Sequence, residues 1–210
     1  MDHQVHIKVC GLTRFEDMEQ LDEAGVQYGG MIFYKKSPRF ADGKINAGKV
    51  KSYHAIKKVG VFVNASEEYI IEQIEKYGLD LLQLHGEETP ELCSTLNKYL
   101  PVIKAFRIKD ENDLKKVAEY KGSSHYFLFD TSGKLYGGNG ELFNWEILKS
   151  YTGSVPFFLS GGIGLSETTA IKSFQHSFLF AIDVNSRFET EPGIKNMNEI
   201  KQFICRLNSN

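Results

Sequence analysis

Short apolar segments alternate with longer amphipathic segments along most of the chain. The apolar segments are rich in β-branched and aromatic residues and show little polar alternation, which is typical of strands buried on both faces. They are VHIKVC, YGGMIF, VGVFV, DLLQLH, VIKAFR, YFLFD, PFFLS and FLFAIDV, which begin at residues 5, 28, 59, 80, 102, 126, 156 and 178. The alternation predicts a parallel sheet whose strands are separated by helices.

The segment between the third and fourth strands shows helical spacing clearly. Its apolar positions, including Ile70 and Ile74, recur three or four residues apart with charged residues between them. Ser66 stands where an N-cap residue is expected, and Gly78 follows where a helix would end. Similar start and stop signals flank other amphipathic segments, at Thr89-Pro90, Gly25 and Gly122.

Eight strand–helix units in 210 residues predict a single α/β domain, residues 1–210, folded as a (β/α)8 TIM barrel. The alternative is a doubly wound sheet, which typically has five or six strands. The chain has no G-x-G-x-x-G after its first strand and no P-loop motif. The barrel is therefore favoured, with short connections that predict a small substrate.

Composition and charge exclude several classes of protein. The net charge of −2 offers no basic surface for nucleic acid, and no apolar run is long enough for a membrane span. The chain starts without a signal segment, so we expect a cytoplasmic protein. We also expect a monomer, because the sequence shows no unusual apolar surface run. The three scattered cysteines and six unpaired histidines predict neither disulfides nor a metal site.

Two of the predicted strand ends are suited to binding phosphate. Gly161 and Gly162 follow the seventh strand, and glycine lets backbone N–H groups approach an anion closely. Asn185 and Ser186 follow the eighth strand and add further donors. Because the loops after strands seven and eight form the usual phosphate site of such barrels, the pattern predicts a phosphorylated small-molecule substrate, although a tight turn is the simpler interpretation of the glycines.

Cys10 and Asp130 end the first and sixth strands and are candidates for acid–base chemistry. Burial at the end of an apolar strand is expected to raise the pKa of Asp130 and keep part of it protonated as a general acid. Nearby cations would lower the pKa of Cys10 and give a base or nucleophile. The alternatives are a capping aspartate and a packed thiol. One base and one acid over a sugar phosphate favour isomerisation.

The ordered motifs IKVCGLT, SPR, QLHG, FDT, GGNG…FNW, LSGGI and DVNSRFE…PGIK resemble those of the phosphoribosylanthranilate isomerases. These enzymes carry out the Amadori rearrangement of N-(5-phosphoribosyl)anthranilate to 1-(2-carboxyphenylamino)-1-deoxyribulose 5-phosphate in tryptophan biosynthesis. The resemblance spans residues 6 to 196. It implies an enzyme that needs no metal or organic cofactor.

The resemblance also implies roles for individual residues. Cys10 corresponds to the general base and Asp130 to the general acid. The substrate-binding residues would be Arg39, His85 and Asp183. The phosphate-binding residues would be Gly161, Gly162, Asn185 and Ser186.

The sequence departs from the commoner family pattern in two places. Asn185 and Arg187 replace a serine and a glycine in the last loop, and the bulk of Arg187 affects how the backbone meets a phosphate. Asn139 stands where threonine is common. Two alternatives stay open: the analogous sugar-phosphate isomerase of histidine biosynthesis, which has an aspartate base after strand one, and a barrel that binds a sugar phosphate without catalysis.

Overall fold

The computed structural model describes residues 5–130 and 145–209. Eight parallel strands form a closed barrel in chain order, and the last strand pairs with the first. The strands are β1 His6–Val9, β2 Tyr28–Ile32, β3 Lys57–Phe62, β4 Leu81–Leu84, β5 Val102–Arg107, β6 Tyr126–Asp130, β7 Phe157–Ser160 and β8 Leu179–Val184. Each strand coincides with one of the apolar segments, so the predicted α/β barrel is confirmed.

Helices lie between most successive strands and after β8. The α-helices are α1 Phe15–Glu23, α2 Ala47–Ser52, α3 Glu67–Tyr77, α4 Pro90–Leu96, α5 Glu111–Val117, α6 Thr168–Ser173 and α7 Met197–Asn208. The described part of the β6–β7 connection is instead a 3-10 helix, Trp145–Ser150. No helix within residues 5–130 and 145–209 has the length and apolar character that crossing a membrane requires.

The predicted helix boundaries rest on capping contacts. The Ser66 hydroxyl accepts a hydrogen bond from the Tyr69 amide, and the Thr89 hydroxyl accepts one from the Leu92 amide. Gly78 ends α3 in the left-handed conformation, with φ of 60°, which glycine adopts without steric cost. These signals were predicted from the sequence and are confirmed.

Two connections differ from the expected short loops. The connection after β2 runs from residue 33 to 46 before α2 begins. Between β8 and α7, an antiparallel hairpin pairs β9 (Glu189–Glu191) with β10 (Ile194–Lys195), and Gly193 turns the chain with φ of 90°. Strands of three and two residues are too short to give an alternating pattern, so the sequence did not predict this hairpin.

The amino-terminal end of the barrel interior is filled by aromatic rings, here called the aromatic floor. It consists of His6, Tyr28, Tyr126, Phe158 and Phe180, each of which is the first or second residue of its strand. Ring centroids lie 4.8 Å apart for His6–Phe180 and 4.7 Å for Tyr126–Phe180, within the range of favourable aromatic contacts. The floor packs against the inner apolar layer of Val59, Leu81, Ile103, Ala105, Leu128 and Ala181.

Buried ion pairs lie among the apolar residues of the strands. Lys104 of β5 and Glu88 are both almost fully buried, and the Lys104 ammonium lies 2.9 Å from the carboxylate. Glu88 also accepts hydrogen bonds from the backbone amides of Asn64 and Gly86. The pair therefore holds together the connections after β3 and β4, and its oxygens are satisfied as buried charges require.

Candidate active site

The carboxyl ends of the strands bring the predicted acid and base residues to one end of the barrel, here called the mouth. Cys10 directly follows β1, Asp130 is the last residue of β6, and Asp183 lies near the end of β8. In a (β/α)8 barrel this end carries the chemistry, because the loops that follow the strands converge there. The predicted grouping of these residues at strand ends is confirmed.

Cys10 is buried beneath the mouth instead of lying exposed at its rim. Its residue surface is 4% exposed, and its backbone amide donates to the Val184 carbonyl. A Cβ atom on Gly30 of β2 would lie 2.9 Å from the Cys10 sulfur. Glycine at position 30 therefore makes room for the thiol.

The predicted low pKa of the thiol is not what the structure supports. Burial raises the pKa of Cys10 above its ordinary value, because the thiolate loses its hydration. The positive charges of Lys8 and Lys195 act in the opposite direction and offset burial only in part. The expected cations are present, but desolvation of the thiolate outweighs them.

Lys8 forms a buried ion pair with Asp183 inside the barrel. Its ammonium lies 2.7 Å from one Asp183 oxygen, and the Ser160 hydroxyl donates to the other at 3.0 Å. Burial lowers the pKa of Lys8, but the charges of Asp183 and Cys10 together raise it above its usual value. Lys8 is therefore a fixed cation two residues before Cys10, on the same face of β1. Asp183, predicted to bind substrate, is engaged by these two side chains.

Asp130 faces His85, which follows β4 and in turn contacts Gln83 of that strand. The His85 Nε2 atom lies 3.7 Å from an Asp130 oxygen, and the other ring nitrogen lies 2.8 Å from the Gln83 amide. Gln83 is buried, which fixes the orientation of the ring. Asp130 and His85, both predicted site residues, are thus brought together at the mouth.

Arg39, in the connection after β2, reaches past Gly11 to the hairpin that follows β8. Its guanidinium makes a two-pronged contact with Glu189, at 3.0 Å from Nε to one carboxylate oxygen and 2.7 Å from Nη2 to the other. Glu189 also accepts a hydrogen bond from Lys195 at 2.7 Å, and Lys195 donates in turn to Asn185 at 3.0 Å. The predicted Arg39 is therefore held by two carboxylate oxygens, with part of the guanidinium left to meet a ligand.

The two predicted phosphate loops have backbones that suit close approach. Gly161 and Gly162 have φ of 106° and 66°, a region that favours glycine, and a Cβ atom on Gly162 would point into open space. Ser186 opens a 3-10 helix, Ser186–Phe188. The side chain of Arg187 lies beside Gly164 of the neighbouring loop, 3.3 Å from where a Cβ on that glycine would be. Phosphate binding here stays a prediction.

Sequence reasoning missed several members of the site. Lys8 has the clearest signal, since strand periodicity places it on the same face as Cys10. Glu189 and Lys195 fall within a motif, but the motif gave no sign that the hairpin would fold back against the segment after β1. The departure at Asn139 lies outside the described residues. Within the described ranges, no group of three or more His, Cys, Asp or Glu side chains is placed to hold a metal ion.

The fold and the mouth residues define a (β/α)8-barrel protein with a buried thiol and a carboxyl group at its strand ends. The profile of the N-(5'-phosphoribosyl)anthranilate isomerase family matches residues 7–206. The chain therefore belongs to the N-(5'-phosphoribosyl)anthranilate isomerase family, and the resemblance found in the sequence is confirmed.

Individual relatives agree with this assignment. The N-(5'-phosphoribosyl)anthranilate isomerase of Parabacteroides distasonis is 44% identical over 96% of this chain and 92% of its own length. The crystal structure of the Thermotoga maritima phosphoribosyl anthranilate isomerase superposes with a TM-score of 0.84 at 33% identity, covering 97% of this chain and 98% of that one. A further structure, at 31% identity and a TM-score of 0.81, covers 97% of this chain and 98% of that one and is a complex with reduced 1-(o-carboxyphenylamino)-1-deoxyribulose 5-phosphate.

Proposed function

We propose that this chain catalyses the Amadori rearrangement of N-(5-phosphoribosyl)anthranilate in tryptophan biosynthesis, with Cys10 as general base and Asp130 as general acid. The observation that carries the proposal is the convergence of both residues on the barrel mouth, one at the end of β1 and the other at the end of β6. Family membership supports the reaction, and the mouth geometry supports the two roles.

The reaction requires one proton to be delivered and another to be removed. Protonated Asp130 gives its proton to the furanose oxygen, the C1–O bond breaks, and the ring opens to a Schiff base. The Cys10 thiolate then takes the C2 proton, and the C–H electron pair moves toward the iminium nitrogen to form an enolamine. Tautomerisation of the enolamine gives the ketose product, with the substrate's own iminium as the electron acceptor.

The remaining mouth residues orient the two ends of the substrate. The Arg39 guanidinium offers donors for the anthranilate carboxylate, because such groups match in planar geometry. The glycine turn at residues 161 and 162, together with the turn at residues 185 and 186, offers backbone donors for the phosphate. A solved relative is a complex with reduced 1-(o-carboxyphenylamino)-1-deoxyribulose 5-phosphate, which supports a ligand that carries both a phosphate and a carboxylate.

A side chain at Gly162 probes the phosphate loop. Gly162→Ala places a methyl group in the open space above the turn, and KM for the phosphorylated substrate should rise with little change in kcat. Because φ is 66° at this residue, the substitution also strains the backbone by about 1–2 kcal/mol. The melting temperature must therefore be measured beside KM, and an unchanged KM in a folded protein would place the phosphate elsewhere.

Two assays distinguish the proposal from its alternatives. Purified protein should convert phosphoribosylanthranilate, which is followed by the loss of its fluorescence. Expression of the chain should restore growth to a tryptophan auxotroph that lacks this step, and not to a histidine auxotroph that lacks the analogous one. Binding without turnover would instead indicate a non-catalytic sugar-phosphate barrel.

We further propose that the chain acts as one cytoplasmic catalytic domain, residues 1–210, and as a monomer. Among the described residues, the large apolar side chains that are exposed are Val5 and Tyr99, which lie in different parts of the chain. One structural relative, from Thermotoga maritima, is described as dimeric, so the state of this chain needs its own measurement. Light scattering at micromolar concentration gives the mass directly.

A further inference from the structure

The hairpin of β9 and β10 is anchored beside the Cys10 segment by contacts that the proposed mechanism does not use. The Thr13 hydroxyl donates to the Gly193 carbonyl at 2.7 Å, and the Lys195 amide donates to Asp17 of α1 at 3.3 Å. A Cβ on Gly11 would lie 2.6 Å from the Asn185 oxygen that accepts from the Lys195 ammonium. The Lys195 ammonium is thus separated from Gly11, which directly follows Cys10, by a single hydrogen-bonded side chain, that of Asn185.

Lys195 is a buried cation whose position is tightly defined. Its side chain has no solvent exposure, and its ammonium contacts Glu189 at 2.7 Å and Asn185 at 3.0 Å. Burial lowers the pKa of Lys195, while Glu189 and Cys10 act to raise it. Holding a lysine in such a place costs desolvation free energy. A second charge partner on the Cys10 side would offset part of that cost.

The charged groups around the thiol carry a net charge of one positive unit, which one further negative charge would neutralise. Three cations, Lys8, Lys195 and Arg39, face two carboxylates, Asp183 and Glu189, in this network of contacts. Loss of the thiol proton therefore brings the network to neutrality, whereas the protonated thiol leaves one positive charge in excess.

The other charged groups that face this network do not change that balance. Asp17 is paired with Arg14, and Asp130 lies on the opposite wall with His85. The Asp17–Arg14 pair is neutral as a unit. The excess positive charge therefore stays on the network that surrounds Cys10.

We propose that Lys195 is a positioning residue that, together with Lys8, stabilises the thiolate form of Cys10. The two lysines come from opposite ends of the chain and lie in the same part of the barrel because β8 pairs with β1. Each is paired with its own carboxylate, Lys8 with Asp183 and Lys195 with Glu189. This inference rests on the proposed role of Cys10 as the base, but it concerns the ionisation of the thiol itself.

The test measures Cys10 ionisation without substrate. The rate at which iodoacetamide alkylates Cys10 is followed by peptide mass spectrometry across a range of pH, and the midpoint of the rate curve reports thiolate formation. Exposed Cys205 serves as an internal reference in the same samples. Lys195→Met should move the Cys10 midpoint upward by about one pH unit, which is a rate about tenfold lower at a fixed pH below the midpoint. Lys195→Arg, which keeps the charge, should restore most of the difference.

Controls separate the local charge from general loss of packing. Lys58→Met removes an equally buried lysine near the amino-terminal end of β3, and it should leave the Cys10 midpoint unchanged. If Lys195→Met does not fold, Lys195→Gln keeps a polar group opposite Asn185 and Glu189 and should show the same upward shift.

The outcomes separate this inference from the proposed function. An unchanged Cys10 midpoint in a folded Lys195→Met or Lys195→Gln protein would overturn the inference. A shifted midpoint in a protein whose Cys10→Ser variant is fully active would support the inference and refute Cys10 as the base.

Discussion

Arg39 and Glu189, which are 150 residues apart in the chain, form a two-pronged ion pair beside the end of β1. The guanidinium has 20% side-chain exposure and the carboxylate 4%, so the pair is partly sheltered from solvent. The Arg39 and Lys195 cations hold the pKa of Glu189 below its usual value in spite of burial, which favours the neutral acid. Glu189 therefore stays ionised and keeps Arg39 at one angle.

Arg39→Lys should impair substrate binding more than its unchanged charge implies. A lysine has a single ammonium and cannot contact Glu189 and a substrate carboxylate in the same fixed plane. Loss of one charge-assisted hydrogen bond of about 1.5–3 kcal/mol corresponds to a rise in KM of roughly tenfold to a hundredfold. Steady-state kinetics measure this, with Lys44→Arg in the neighbouring exposed segment as a control that should leave KM unaltered.

Cys10→Ser should fold and bind a product analogue but lose most of kcat. Serine fits beside Gly30 because its side chain is slightly smaller, yet its hydroxyl gives no anion near neutral pH without a base of its own. Removal of a general base typically lowers kcat by about 10²–10⁴-fold. Calorimetric titration with the analogue measures binding, and single-turnover kinetics measure the loss of turnover. Cys93→Ser and Cys205→Ser serve as comparisons. A Cys10→Ser enzyme with wild-type turnover would assign the proton to another residue.

Asp130→Asn should reduce kcat by at least about 10²-fold, because the amide keeps the shape of the side chain but delivers no proton to the ring oxygen. KM should change much less. Quenched-flow measurement of ring opening tests this directly. Activity close to that of the wild type would leave Asp130 with a structural role beside His85.

The pH dependence of the Asp130→Asn enzyme should report on Cys10 alone. Burial raises the pKa of Cys10 above its ordinary value of 9.0, so the thiol is mostly protonated at neutral pH and the thiolate fraction grows as the pH rises. The residual kcat/KM should therefore increase by about tenfold per pH unit until it levels off above pH 9, because a single proton must leave. In the wild type, Asp130 must be protonated while Cys10 is not. The two limbs of the wild-type pH–rate profile therefore report on the pair of groups and not on either residue alone. A residual kcat/KM that does not vary with pH in the variant would mean that no thiolate is required.

Glu88→Ala should destabilise the fold without involving the mouth chemistry. It leaves the buried Lys104 ammonium without its carboxylate and two backbone amides without their acceptor. Loss of one partner of a buried pair costs about 3–5 kcal/mol in the free energy of unfolding. Urea denaturation gives that value, and Lys57→Ala, which removes a largely exposed partner of Asp80, should cost about 1 kcal/mol or less. Equal losses for the two variants would contradict the importance of the buried pair.

Local patterns were enough to predict the barrel. Each strand carries its own apolar run, and helix α3 carries its own cap at Ser66 and stop at Gly78, so both follow from neighbouring residues. Cys10 and Asp130 could be placed at strand ends for the same reason. By contrast, the contact between Lys195 and Asn185 and the ion pair of Arg39 depend on how the seven-residue hairpin, residues 189–195, folds back against the segment after β1, which no short-range periodicity encodes. The net direction of the Cys10 pKa also required the degree of burial, which only the packing around Gly30 reveals.

The aromatic floor and the mouth lie at opposite ends of the barrel, so the two ends can change independently. The rings of Tyr126 and Phe180 lie at the start of their strands, whereas Asp130 and Asp183 lie several residues farther along the same strands, at about 3.3 Å per residue. Substitutions that share no partner and lie more than about 7–10 Å apart usually have additive effects on free energy. Substitutions that repack the floor and increase the free energy of unfolding can therefore compensate for destabilising substitutions at the mouth. New substrate preferences can then be selected in this barrel without loss of its fold.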